Sequence, residues 1–329
     1  MAELTILRDG DADLSALDGR RVAIIGFGAQ GRAQALCMRE SGVDIIVGVR
    51  AGASFDAARS EGFPTMSVGE ASRIADIIHI LLPDEIHGEV FRREIAPAMK
   101  PGATLSFSHS FSIVFKELVP PAGCDVILVA PKGIATAVRE RYLAGSGVAG
   151  LIAVEQDRSG HARRDALALA KAMGYTRSGV IECTMKEEAC GDIFGEQNVL
   201  CGGMVDLMKY GFEVLTEAGY PPEVAYFECI HEVKLIVDLV YSKGIAKMNE
   251  VISNTAEWGE YVNGPRIISP DVKERMKESL REIESGRFAA SLLAEVRSGG
   301  RNLAAKREEL RRHPAEKAGE RVRSLFGIR

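Results

Sequence analysis

The sequence predicts two domains: an α/β domain built on a doubly wound, Rossmann-type parallel sheet over residues 1–182, and an all-helical domain over residues 183–329. Three observations predict them. Short β-branched runs alternate with Ala-rich stretches as far as Ile181, a glycine fingerprint follows the first run, and strand-like runs disappear after Glu182. The alternation is the rhythm of βαβ units. A chain of 329 residues is long enough for roughly two domains of ordinary size, each with its own core.

In order, strands are expected at Val22 to Ile25, Ile45 to Val49, Ile77 to Leu82, Thr104 to Phe107, Val126 to Val129 and Leu151 to Val154. Val199, Leu200, Met204, Leu207, Met208, Phe212 and Leu215 then mark a helix that stops near Gly219. Pro221 and Pro222 suit the first turn of a second helix whose apolar residues run to Val240. Beyond Pro270 the dense charge of KERMKESLREIES and KREELRRHPAEKAGERVR reads as solvated outer helices.

The first strand runs into Gly26-Phe27-Gly28-Ala29-Gln30-Gly31 and then into the helix-compatible RAQALCMRE. This is G-x-G-x-x-G in the setting it requires. Its glycines permit a tight turn and close backbone approach, and the helix N-terminus receives a pyrophosphate. The usual ribose-binding acid is absent from the end of the second strand, where Val49-Arg50-Ala51-Gly52-Ala53-Ser54 stands instead. Arg50 and Ser54 suit a 2′-phosphate, so NADPH is favoured, while Asp56 leaves NADH open.

Asp84 and Glu85, His109, and Lys132 each follow a predicted strand, at the edge where open α/β sheets bind ligands. A lone histidine or lysine is more often packing or surface, but a shared position raises all of them. Asp192 and Glu196, and again Glu228 and Glu232, sit four residues apart in apolar, helix-like stretches. Like charges at that spacing share a helix face and repel, and burying them beside Phe194, Val199, Leu200, Phe227, Ile230 and Leu235 needs a cation, for which magnesium is the natural candidate. An acidic surface face is the bland alternative.

The net charge of -5 and the 6% aromatic content argue against nucleic acid as a partner. No C-x-x-C or H-E-x-x-H spacing suggests zinc. No apolar run approaches the roughly 18 residues of a membrane span, and there is no signal-peptide pattern at the start. A cytoplasmic protein with reduced thiols is expected.

These residues together resemble the ketol-acid reductoisomerases of the short, class I type over almost the whole chain. GFGAQGRAQAL, SGVDIIVGVR, ILLPDE, VAPKG, LIAVEQDRSG, DIFGEQNVLCGG, EAGYPPEVAYFECIHEVKLIVDL and ISNTAEWGEYVNGPR stand in the family's order and spacing. The resemblance implies alkyl migration in a 2-acetohydroxy acid, dependent on two Mg2+, and NAD(P)H reduction to a 2,3-dihydroxy acid in valine and isoleucine biosynthesis. It implies that Asp192 bridges the two ions, that Glu196 holds one, that Glu228 and Glu232 complete the second, and that Ser253 binds the substrate carboxylate. His109 and Lys132 match the active-site pair between substrate and nicotinamide. Phe27 to Gln30, Arg50, Ser54 and Asp84, Glu85, Ile86 and His87 match cofactor contacts. It further implies a homodimer, or a higher assembly of dimers, with interlocked helical domains.

The chain departs from the family's usual pattern at Ser110 and Ser112, where Gly and Asn are common, and at Ile134-Ala135-Thr136, where a Pro-Gly pair usually follows the lysine. Ala135 stands where a glycine is expected to approach the cofactor. Two rival readings are a metal-independent 3-hydroxyacid dehydrogenase, which leaves four helical carboxylates unexplained, and a non-catalytic NADP-binding descendant of the enzyme.

Overall fold

The structure, a computed structural model, describes residues 5–327. It separates into two compact units, Met1–Gly191 and Asp192–Arg329, and the division falls within one helix, Met185–Gly195.

The first unit is built on nine strands: β1 Ile6–Leu7, β2 Arg21–Ile25, β3 Asp44–Gly48, β4 Thr65–Met66, β5 Ile77–Ile80, β6 Thr104–Phe107, β7 Asp125–Pro131, β8 Gly150–Gln156 and β9 Val180–Glu182. Their order is β1-β9-β8-β7-β6-β5-β2-β3-β4. All six strands expected from the sequence form. The three others, β1, β4 and β9, are too short to show a period of two.

From β4 to β7 every pairing is parallel, and the chain leaves β2 in opposite directions, through β3 on one side and β5 on the other. The cleft between the carboxyl ends of β2 and β5 is therefore the switch point at which such sheets bind nucleotides. Alternate residues of each strand enter opposite cores: Val22, Ile24, Val47, Ile127 and Val129 on one face, Ala23, Ile25, Ile78, Leu105 and Leu128 on the other. Helices cover both faces, so the strands read as continuous apolar runs. Each fully buried Ile or Leu contributes roughly 1.5–3 kcal/mol.

The sheet is mixed, where a purely parallel one was expected. β8 runs antiparallel to β7, and β1 antiparallel to β9. The cause lies in the β7–β8 connection. Helix Ala135–Leu143 does not return the chain to the far end of the sheet; Gly145 and Gly147, at φ +77° and +72°, turn it back, and Gly150 pairs with Pro131 at the same edge. A Cβ on Gly147 would lie 1.9 Å from the Gly174 carbonyl oxygen, so this reversal requires glycine.

The second unit is helical throughout its described residues. Helix Gly203–Glu217 ends before Gly219, which has φ +90°, and Pro222 opens the next helix. That helix passes through a π-turn at Phe227–His231 before continuing as Val233–Lys243, and another π-turn occupies Glu196–Leu200. Both acid pairs thus lie on or beside wide turns, a feature common at functional sites. The core here is small: Phe212, Ala225, Tyr226, Ala315, Ala318 and Val322, with Leu215, Phe227 and Ile230 packed on it. Among the described residues no helix is long and apolar enough to cross a membrane.

One expectation fails within the single chain. Glu196, Glu228 and Glu232 are exposed, and so are Val199, Leu200 and Leu235. Those apolar neighbours, expected to bury the acids, are themselves exposed, so burial does not force a cation on the acids within one chain.

Candidate active site

The three fingerprint glycines do different work. Gly26 has φ +102°, and a Cβ there would lie 2.7 Å from the Leu81 carbonyl oxygen; a Cβ on Gly31 would lie 2.1 Å from the Gly26 carbonyl oxygen, so the helix packs too closely for a side chain. Gly28 has open space around its Cβ position, which leaves room for a ligand at the start of helix Ala29–Glu40. The Phe27 ring is buried edge-to-face against Phe63 at 5.6 Å, so what Phe27 presents to the cleft is backbone. Gln30 reaches away from Ala29, its Nε2 donating to the Gly133 carbonyl at 3.2 Å.

Past β3, Arg50, Ser54 and Asp56 are all exposed, Ser54 and Asp56 in the first turn of helix Ala53–Ser60. Past β5, Asp84 and Glu85 open helix Asp84–Val90, and Ile86 packs on the core. His87 turns inward: Nε2 donates to the Leu82 carbonyl at 2.8 Å and Nδ1 accepts from the Ser112 hydroxyl at 3.0 Å. Desolvation lowers its pKa to about 4, so the ring is neutral near pH 7. The side chain expected to touch cofactor is thus committed to the core, and Ser112 is its partner.

His109 and Lys132 come together on a residue the sequence reading did not single out. Glu188, buried to 1% side-chain exposure, lies 3.2 Å from His109 Nδ1 and 3.4 Å from Lys132 Nζ through Oε1. Its Oε2 accepts from the Ser110 backbone N–H at 2.9 Å and from the Ser110 hydroxyl. Burial opposes ionisation of this carboxyl, but the bond and charge of His109, the Ser110 hydroxyl and the Lys132 charge outweigh it and hold the pKa down at about 2. Ser110 is therefore a buried donor to the acid that organises the site. The available signal was spacing: Glu188, Asp192 and Glu196 are successive at four residues.

Ala135 begins helix Ala135–Leu143 and packs on the core beneath it. Ser253 caps helix Asn254–Ile267, its oxygen accepting from the Ala256 N–H at 3.2 Å, a use that leaves the hydroxyl proton for another acceptor.

Asp192 lies one turn beyond Glu188 on the continuous helix Met185–Gly195, and ligand atoms of His109, Glu188 and Asp192 fall within 4.8 Å of one another. Glu188 is already engaged by His109, Ser110 and Lys132, so hydrogen bonding accounts for that group without an ion. Among the described residues, Glu196, Glu228 and Glu232 join no further cluster of three ligating residues. Their chemistry nonetheless fits magnesium, which takes oxygen donors with near-octahedral geometry.

The sheet order, glycine loop and basic–acidic cluster define a dinucleotide-dependent oxidoreductase joined to a helical unit. Residues 16–179 match the acetohydroxy acid isomeroreductase NADPH-binding domain, and residues 185–327 match the ketol-acid reductoisomerase C-terminal domain. The chain is 65% identical over 323 residues to a ketol-acid reductoisomerase (NADP(+)) of Akkermansia muciniphila, covering 98% of this chain and 99% of that one. It is 49% identical over 329 residues to a ketol-acid reductoisomerase (NAD(+)) of the uncultured archaeon GZfos26G2, covering 98% and 99%. The solved structure of an NADH-preferring ketol-acid reductoisomerase from an uncultured archaean superposes with a TM-score of 0.95 at 49% identity, covering 98% of this chain and 99% of that one. The chain belongs to the ketol-acid reductoisomerase family, enzymes that isomerise an acetohydroxy acid and reduce it with NAD(P)H in branched-chain amino-acid biosynthesis. That assignment removes the 3-hydroxyacid dehydrogenase reading.

Proposed function

We propose that the reaction runs in a composite site in which Asp192 and Glu196 of one chain and Glu228 and Glu232 of a second copy hold two magnesium ions, with NADPH as the preferred donor. The observation that carries this reading is the acid ladder Glu188–Asp192–Glu196, which begins at the His109–Lys132 cluster, together with the exposed pair Glu228 and Glu232.

Bound there, magnesium supplies a Lewis acid that polarises the substrate carbonyl and stabilises negative charge during alkyl migration. The chain's own groups do the rest. Glu188 accepts from His109 Nδ1 and from Lys132 Nζ and so fixes both between substrate and nicotinamide. Ser253 donates its hydroxyl proton to the substrate carboxylate. The backbone of Gly28 to Gln30 binds the pyrophosphate, and Arg50 with Ser54 binds the 2′-phosphate. The six cysteines are free thiols, in keeping with a cytoplasmic enzyme.

Asp192→Asn keeps the shape and removes the charge. Turnover of 2-acetolactate should fall at least ~100-fold, as for loss of a dominant electrostatic contribution, and calorimetry should show weakened magnesium binding. Near-normal turnover and magnesium affinity would overturn the two-ion site.

A further inference from the structure

Gln34, His79 and Ser106 are fully buried beneath the cofactor edge, and the mechanism above uses none of them. They form one chain of hydrogen bonds. The Ser106 hydroxyl donates to His79 Nδ1 at 2.8 Å; His79 Nε2 donates to Gln34 Oε1 at 2.8 Å; Gln34 Nε2 donates to Gln30 Oε1 at 3.0 Å; Gln30 Nε2 donates to the Gly133 carbonyl at 3.2 Å. Ser108 adds a contact to Gln34 Oε1 at 3.1 Å and one to the Val129 carbonyl at 3.1 Å. A single direction of donation satisfies every member, and such chains polarise and strengthen one another. Burial lowers the His79 pKa to about 4, so the ring carries one proton near pH 7, as this arrangement requires.

The network crosses four adjacent strands. Gln30 follows β2, His79 lies on β5, Ser106 on β6, and Gly133 follows β7. Three strand spacings separate the outer two, about 14 Å. No pairing within the sheet ties the fingerprint loop to the Lys132 loop directly, yet both must meet the same dinucleotide. A glutamine on an open loop samples many rotamers, whereas Gln30 is held at both ends of its amide.

We propose that Gln34 and His79 are positioning residues for hydride transfer: through Gln30 they hold the loop that receives the pyrophosphate at a set distance from the loop that carries Lys132. This rests on the fingerprint being the NAD(P)H site. The chemistry of the network is that of a spacer, with no group transferred through it.

Three variants separate positioning from packing. Gln34→Leu leaves the His79 N–H only the longer contact to the Ser108 hydroxyl oxygen at 3.3 Å, so the melting temperature and kcat should both fall. Gln34→Leu/His79→Leu removes both ends of that bond, and stability should return in part, because replacing both ends of a buried bond with apolar groups is nearly neutral while the buried Ser106 hydroxyl loses its acceptor. Gln30 stays unanchored in that double variant, so kcat should remain depressed by about tenfold, the equivalent of one lost hydrogen bond. Gln30→Met should show the same kinetic defect with a smaller fall in melting temperature than Gln34→Leu, since Gln34 Nε2 loses its acceptor at the half-buried end of the network. Hydrogen exchange of the cofactor-free protein gives a readout apart from turnover: amides of residues 132–136 should exchange faster in the double variant and in Gln30→Met. Kinetics and exchange that recover with the melting temperature in the double variant would reduce the network to core packing and overturn the proposal. Wild-type protein that binds no NADPH overturns the function proposed above, whereas wild-type kinetics in all three variants overturns only the role of the network.

Discussion

The sheet unit and the helical unit treat their polar groups in opposite ways. In the sheet unit Gln34, His79, His87, Ser110 and Glu188 are buried, and each has a hydrogen-bond partner within the chain. In the helical unit Glu196, Glu228 and Glu232 lie at the surface beside Leu200 and Leu235, which are 57% and 55% exposed. Trp258, the one tryptophan, is 70% exposed. The polar groups named in the sheet unit are met within the chain, whereas the acids of the helical unit stand at its surface.

The strongest way to break that comparison is to ask whether a site can be rebuilt from two damaged chains. Asp192→Asn and Glu228→Gln should each be inactive alone. In a mixed dimer with composite sites, one site carries both changes and the other neither, so about half of wild-type activity should return. Purified mixed dimers that stay inactive would mean that each site draws all four carboxylates from one chain.

The same contrast explains what the sequence revealed. The parallel strands from β2 to β7 were legible because strands buried on both faces need unbroken runs such as Val22 to Ile25 and Ile77 to Ile80. The reversal at β8 was not, because a helix between two strands normally signals a parallel crossover, and the turning was done by Gly145 and Gly147. In the site, glycines, His109 and Lys132 were legible from their places after strands. Glu188 was not, since a single acid near the start of an acidic helix looks like a favourable first-turn charge. Ser110 and Ser112 stood out only as departures, and their hydrogen bonds to Glu188 and His87 depend on contacts 78 and 25 residues away in sequence. Exposure of Glu196, Glu228 and Glu232 was misread because the sequence shows apolar neighbours without showing that Val199, Leu200 and Leu235 are themselves exposed.

Burying neutral histidines gives the sheet unit a vulnerability to acid that the helical unit does not share through these groups. Desolvation lowers the pKa values of His79 and His87 from 6.5 to about 4. Above about pH 6.5 both rings are neutral whether the chain is folded or not, and their full contribution is present. As pH falls, the unfolded chain takes up protons that the folded rings refuse, so stability drops down to about pH 4, by roughly 3 kcal/mol per ring. Urea unfolding at pH 7 and pH 4.5 checks this. Gln34→Leu/His79→Leu should lose roughly 2–3 kcal/mol less than wild type between the two pH values, and an identical loss in both proteins would show that His79 titrates normally.

The smallest expected effect concerns the electron donor, and it belongs to the sheet unit, where cofactor choice resides in the loop after β3. That loop carries exposed Arg50 and Ser54, and β3 ends on Gly48 with no acid at its carboxyl end. Ser54 lies in the first turn of helix Ala53–Ser60, where backbone N–H groups favour an anion. An Arg–phosphate contact in such a partly exposed loop contributes about 1.5–3 kcal/mol, or roughly 10- to 150-fold in affinity for NADPH over NADH. Asp56 works against it from the same turn. Relatives do not decide between the donors, because the 65% identical enzyme is named for NADP(+) and the 49% identical one for NAD(+). Steady-state kinetics with both cofactors should show the wild type preferring NADPH, and Ser54→Asp should reverse that preference by repelling the 2′-phosphate and accepting from the ribose hydroxyls. A wild type that already prefers NADH, and that changes little when the carboxylate is added, would mean that Asp56 and not Arg50 faces the adenosine ribose.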